Sequence, residues 1–365
     1  MKISIDATGL GQAKTGTTVY LTQILAQWNQ RKDLAHTFII FVAPKARHHF
    51  TALGLDGRFR LRHAPNARFL RVLWQQTLLP VHLLQLGVCV HWGPGFVLPV
   101  LGLCPMVVTV HDLTFQLFPA AHERIKRHYF PWMIRRAVRK AHSVLVISHT
   151  TKADLERLQP ESRHKNHVTL LGARTLPSIE PLQSSVQDYA LFIGTLEPRK
   201  NLRNLIQAWR SLATTIRGQT HLRVVGTTGW LVQDVIDSAN EQDNIHFLGS
   251  LTDQALAAQL QGASFFVYPS LYEGFGLPVL EAMSIGIPVL TSNVGATQEI
   301  AGAAALLVDP HSVTSIAQGL ARLLQEPELL TSLRAAGLER AAQFSWAQTA
   351  SQTLQALQAA GTHSP

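Results

Sequence analysis

Short runs of consecutive apolar residues alternate with longer segments of helical periodicity along the whole chain. In the first half these runs are KISID (2–6), TFIIFVA (37–43), VCVHW (88–92), MVVTVHD (106–112) and SVLVIS (143–148). In the second half they are ALFIGT (190–195), LRVVG (222–226), IHFLG (245–249), SFFVYPS (264–270), IPVLTS (287–292) and AALLVD (304–309). Several lack polar alternation, as expected of strands covered on both faces. Such strands alternating with helices predict an α/β class, with parallel sheets wrapped by helices. The rhythm breaks at GARTLPSIEPLQSSVQ (172–187), where two prolines and several serines replace periodicity, and this segment is read as a linker. Each side restarts its own strand series. The prediction is two Rossmann-like, doubly wound domains, 1–175 and 188–345, facing a central cleft beyond the carboxyl ends of their strands. The last stretch, FSWAQTASQTLQALQAAG (344–361), reads as a helix opened by Ser345, with Leu354 and Leu357 offering an apolar contact.

Composition narrows the class. A chain of 365 residues with 46% hydrophobic and 15% charged residues has material for two packed cores and is not a disordered polymer. Only Cys89 and Cys104 are present, so a disulfide framework is not expected and a reducing, cytoplasmic compartment is. The opening MKISIDATGL reads as a first strand rather than a secretory signal, and no apolar run approaches the roughly 18 residues of a spanning helix. The net charge of +9 points to an anionic partner: nucleic acid, an anionic membrane face or a phosphorylated substrate. No RNP, zinc-finger or helix-turn-helix signature supports nucleic acid.

The chemistry concentrates in YPSLYEGFGLPVLEAMSIGIPVLTSNVGATQEI (268–300). Glu273 and Glu281 stand eight residues apart, with Gly274, Phe275, Gly276 and Leu277 between them and Pro278 placed for a first helical turn. Glycines let a backbone approach a ligand, and N–H groups at a helix start attract phosphate. A carboxylate at Glu281 suits a ribose diol, and one at Glu273 suits sugar hydroxyls. In LFIGTLEPRKNLRNLIQAW (191–209) a strand ends at Gly194 and Thr195, and Arg199 and Lys200 follow ahead of an amphipathic helix. Two cations at a helix start oppose the helix dipole, so a compensating anion is expected there, and a diphosphate leaving group fits.

These two segments resemble the retaining glycosyltransferases of family 4, which have the GT-B fold. The resemblance spans nearly the whole chain and is most specific in the second half. It implies that Glu273 contacts the donor sugar and Glu281 the ribose. It places Arg199 and Lys200 on the diphosphate, with the backbone at Phe275, Gly276 and Leu277 against sugar and phosphate. It also implies that His111, in VTVHDLTFQLFP (108–119), lies near the donor sugar, with Asp112 beside it, and that the terminal helix over 346–361, which begins within FSW, crosses back to pack on the first domain. HDLTFQLFP is similar to bacterial mannosyl- and rhamnosyl-type members that build surface polysaccharides.

Other features leave two readings open. Gly16 and Thr17, in DATGLGQAKTGTTVYL (6–21), suit either a phosphate-facing turn or a plain strand–helix turn. HWGPGF (91–96) suits an acceptor pocket or an ordinary turn with core aromatics. The basic segment RIKRHYFPWMIRRAVRKA (124–141) has Phe130, Ile134 and Val138 at helical spacing. It suits a peripheral contact with an anionic membrane presenting a lipid-linked acceptor, or a helix with a solvated basic face. The stretch 249–252 is a candidate for base contacts.

No D-x-D pattern is present, and the cysteines show no zinc-ligand spacing, so no metal or other cofactor is expected. The function these readings predict is transfer of a hexose, mannose-like in preference, from a nucleoside-diphosphate sugar to a saccharide or lipid-linked acceptor with retention of configuration. The alternatives are a sugar-nucleotide epimerase on the same scaffold and a nucleotide-sugar-binding protein without catalysis.

Overall fold

The computed structural model describes residues 1–13, 15–119, 124–174, 187–238 and 243–362. Most of the expected linker, 175–186, lies outside these. The chain forms two units, Met1–Gly172 with Ser345–Pro365, and Ala173–Phe344.

The first unit is built on a seven-stranded parallel sheet. Its strands are β1 (Lys2–Asp6), β2 (Thr37–Val42), β3 (Phe59–His63), β4 (Val90–Gly93), β5 (Met106–Val110), β6 (Ser143–Val146) and β7 (Asn166–Val168), in the order β3-β2-β1-β4-β5-β6-β7. Every residue of β5 is buried, which is why its sequence MVVTV carries no alternation. The apolar runs predict the five central strands and miss the two edges, β3 and β7. FRLRH and NHV are half exposed and polar, so the burial that makes a strand legible is absent there.

The helix Trp346–Thr362 belongs to this first unit. It packs against the helix Gly16–Gln30 and against β4. Trp28 donates from Nε1 to the carbonyl of Ala350 at 2.9 Å, and Thr349 donates to the carbonyl of Leu170 at 2.5 Å. Leu357 is fully buried.

The second unit carries a six-stranded parallel sheet. The strands are β8 (Gln187–Ile193), β9 (His221–Val225), β10 (Ile245–Gly249), β11 (Ala263–Tyr268), β12 (Val289–Ser292) and β13 (Leu306–Val308), in the order β10-β9-β8-β11-β12-β13. All six match predicted runs. The order reverses between β8 and β11, so the loops leaving these neighbouring strands diverge to opposite sides and open a crevice at their carboxyl ends. The two segments singled out in the sequence are those loops.

Candidate functional site

The loop after β8 begins at Gly194 and Thr195 and closes with a single 3-10 turn at Pro198–Lys200, held by Asn201. Asn201 adopts a left-handed conformation (φ 63°), and its amide donates to the carbonyls of Pro269 (2.9 Å) and Pro310 (2.6 Å). It thereby ties this loop to the loop after β11. The following helix starts only at Leu202, so Arg199 and Lys200 precede it rather than lie in its first turn.

Both cations meet Glu273. Oε1 of Glu273 accepts from Lys200 Nζ at 2.7 Å, from the Ser270 hydroxyl at 2.7 Å and from the Tyr268 hydroxyl at 3.0 Å, while Arg199 Nη1 lies 2.9 Å from Oε2. Arg199 also donates to Glu197 at 2.5 Å and to the carbonyl of Tyr272 at 2.6 Å, and Lys200 donates to the Tyr268 hydroxyl. Glu197, Lys200 and Glu273 are each less than a tenth exposed. The anion expected beside these cations is supplied by the protein itself: two carboxylates balance two cations.

Burial alone would raise the Glu273 carboxyl, but Arg199 and Lys200 outweigh it and hold the group at about 2. At Lys200 burial wins and pulls the ammonium below its ordinary value against the pull of Glu273. The asymmetry follows from the contacts. Four donors surround the carboxylate, whereas Lys200 faces one carboxylate and a phenol. Burial, and then the charge on Glu273, push the Tyr268 hydroxyl well above its ordinary value, so it stays a donor. Tyr268 and Ser270 close the cluster, and sequence reasoning missed both. The available signal was a polar tip on the last residue of an otherwise apolar strand, followed two residues later by a hydroxyl.

Gly276 opens the helix Leu277–Ser284 with φ 101°, where a Cβ would lie 3.3 Å from Thr297 Cγ2, so only glycine suits this turn. Pro278 occupies the first helical turn and carries no N–H, Val279 donates to the carbonyl of Gly276 at 3.0 Å, and no side chain caps the start. Glu281 stands one turn into this helix. It lies 3.2 Å from Arg174 Nε, and Arg174 Nη1 donates to Asp253 at 3.0 Å. Arg174 falls in the segment read as linker, where nothing in its surroundings marks it as a partner for an acid more than a hundred residues away.

The first unit holds the remaining candidates. His111 follows β5 and donates from Nε2 to the carbonyl of Pro94 at 2.7 Å, with the Tyr20 ring edge-on at 4.9 Å. Burial lowers its imidazole below the ordinary value, so it is neutral at pH 7 with Nδ1 as its acceptor. Asp112 accepts from the N–H and the hydroxyl of Thr114, at 3.0 and 2.7 Å. Asp6 makes the same pair of bonds to Thr8 after β1, at 3.0 and 2.6 Å. This D-x-T turn at two strand ends gives Asp112 a local structural task. Gly16 starts the helix Gly16–Gln30 behind Thr15, whose hydroxyl accepts from the Thr18 N–H, and Thr17 is half buried. The aromatics of HWGPGF divide: Trp92 is core and donates to Thr109 at 3.0 Å, while Phe96 is half buried.

The basic helix Arg124–Lys140 turns its apolar side inward. Ile134 and Val138 pack with Val108, Val110, Val144 and Val146, and Phe130 stacks on Phe115 at 4.5 Å. The stripe of Phe130, Ile134 and Val138 is therefore used by the core, while Trp132 on the same helix is 54% exposed.

A family model described as glycosyl transferases group 1 matches residues 180–340. The O-antigen chain mannosyltransferase B of Escherichia coli is 34% identical over 280 residues, 73% of each chain. The MMP alpha-(1->4)-mannosyltransferase of Mycolicibacterium hassiacum is 32% identical over 268 residues, 68% of this chain and 64% of its own. Among solved structures, Anabaena HepE in complex with UDP and glucose aligns over 98% of this chain and 100% of its own with a TM-score of 0.76 at 16% identity. With its two doubly wound sheets, its glycine-opened helix start and this extent of identity, the chain is a glycosyltransferase of the GT-B fold and belongs to the glycosyl transferases group 1 family.

Proposed function

We propose that this enzyme transfers a mannosyl group from a nucleoside-diphosphate sugar to a hydroxyl of a saccharide or lipid-linked acceptor during assembly of a surface polysaccharide. Both relatives are named as mannosyltransferases, and the one from Escherichia coli is named for an O-antigen chain. The solved relative binds UDP and glucose. The observation that carries the reading is the cluster of Arg199 and Lys200 on Glu273 beside an uncapped helix start.

In this reading the donor exchanges partners with the cluster. Pyrophosphate oxygens draw Arg199 and Lys200 away from Glu273, and the backbone N–H groups of Phe275, Gly276 and Leu277, in the turn ahead of the helix, add to the anion site. Glu273, ionised at any pH well above 2, then accepts from sugar hydroxyls. Glu281 reaches a ribose diol by giving up Arg174. As the C1–O bond to phosphate breaks, Arg199 and Lys200 neutralise the leaving diphosphate, the role a metal ion fills elsewhere. The acceptor oxygen forms its bond to C1 on the same face, and its proton passes to the departing phosphate oxygen.

The test is incubation with nucleoside-diphosphate mannose and glucose donors and a mannoside acceptor, with and without a chelator. The expected result is mannosyl transfer that survives chelation and gives a product of the donor's anomeric configuration by NMR. An inverted product, or an isomerised donor formed without acceptor, overturns the proposal.

A further inference from the structure

The helix Arg68–Gln85 buries Trp74, Leu79 and Leu83 against Ile39 and Phe41 of the first sheet. Its other side is apolar too. Phe69 is 78% exposed, Leu70 54%, Leu73 51%, Leu78 52%, Val81 45% and Leu84 63%. A surface helix ordinarily presents polar residues there. The adjoining loop extends the patch. Gln76 binds the Val100 N–H at 2.8 Å, and just beyond it Leu101 and Leu103 are 60% and 48% exposed. Contiguous exposed side chains of this size mark an interaction surface.

Charge identifies the partner. From Gly57 to His111 the chain has no aspartate or glutamate, and it has five arginines. Arg68 is exposed at the helix start. Arg60 and Arg62 of β3 stand opposite Ile39 and Phe41 in register. Paired residues project on one side of a sheet, so these exposed arginines flank the helix on its own face.

We propose that this face is a docking surface for an anionic lipid bilayer, with the helix lying in the interface plane. Its leucines enter the acyl boundary, and Arg60, Arg62 and Arg68 meet the headgroups. A second copy of the chain fits less well, because a twofold contact sets these arginines near their own counterparts with no acid in the segment to separate them. The inference rests on the first unit's surface alone, and its test uses neither donor nor acceptor, so its failure leaves the transfer reading standing.

The test is flotation of the full chain with vesicles of phosphatidylcholine, alone or mixed with phosphatidylglycerol. The chain is expected to float with the anionic vesicles and to be released by salt. Leu70→Ser/Leu73→Ser/Leu84→Ser is expected to lower partitioning by about tenfold or more, with an unchanged melting temperature. Arg60→Glu/Arg62→Glu is expected to lower it by roughly fivefold per arginine. Should the serine variant melt early, Leu70→Gln/Leu84→Gln serves in its place. The proposal is overturned if the wild type stays unbound, if the leucine variants float as well as the wild type, or if the wild type sediments as a dimer that those substitutions separate.

Discussion

At Glu273 one carboxylate collects two cations, a phenol and a serine hydroxyl. Removing its charge takes from the buried Lys200 and the partly buried Arg199 the carboxylate they share, and breaking a buried pair in this way costs about 3–5 kcal/mol. Glu273→Gln is therefore expected to lower stability by that order at pH 7, as read by urea unfolding, and to lower turnover strongly. The pH dependence has a definite sign. The folded carboxyl sits at about 2, below its ordinary 4.5, so the unfolded chain binds more protons between those values. The contribution is complete above pH 4.5 and fades as pH falls towards 2, and the wild-type and variant curves should converge there. Curves that stay parallel across that range would show that the ionised form is not what stabilises the fold. Lys200→Ala addresses the ligand instead. A charge-assisted bond is worth about 1.5–3 kcal/mol, so affinity for the free nucleoside diphosphate should fall by about tenfold or more in calorimetry. Unaltered affinity would remove Lys200 from the diphosphate.

Two loops carry this cluster, and their approach depends on glycine. Gly226, at the end of β9, has φ 150°, and a Cβ there would lie 1.9 Å from the carbonyl oxygen of Gly194, at the root of the Arg199 loop. Backbone cannot yield as a side-chain tip can, so Gly226→Ala should cost about 1–3 kcal/mol and displace the loop, weakening nucleoside diphosphate binding without touching the ligand. A variant with normal affinity would separate the strand end from the site. Elements were legible where burial imposed a pattern. The central strands read as apolar runs because helices cover them. The edges β3 and β7 did not, because half their surface is wet and polar. The GFGLP turn was legible because φ 101° at Gly276 admits little else. The pairing of Arg199 and Lys200 with Glu273 was not, because it joins residues more than seventy positions apart and exists only once β8 and β11 lie side by side. Arg174 on Glu281 was hidden for the same reason. Apolar periodicity alone also misassigns outward faces. The basic helix Arg124–Lys140 spends its stripe on the core, whereas Arg68–Gln85 is apolar on both sides and keeps one exposed.

Across the whole molecule the chain returns to its beginning. After finishing the second unit at Phe344 it re-enters the first, and Trp346–Thr362 becomes a structural part of a unit whose other residues end at Gly172. The last residues in sequence thus support the first sheet, while the cluster on Glu273 sits in the other unit. Stability and ligand affinity should therefore separate by position. Leu357 is fully buried, and truncating such a leucine costs about 2–5 kcal/mol. Leu357→Ala should lower the unfolding midpoint accordingly and leave the dissociation constant for nucleoside diphosphate within about twofold. The same ligand at 100 times its dissociation constant adds about 2.7 kcal/mol to whatever unit binds it. Hydrogen exchange should thus show slowing among β8–β13 in both proteins and faster exchange in β1 and β4 of the variant alone. A matching loss of affinity in Leu357→Ala would mean that the terminal helix does more than hold the first unit together, and would place part of the nucleotide's binding energy under its control.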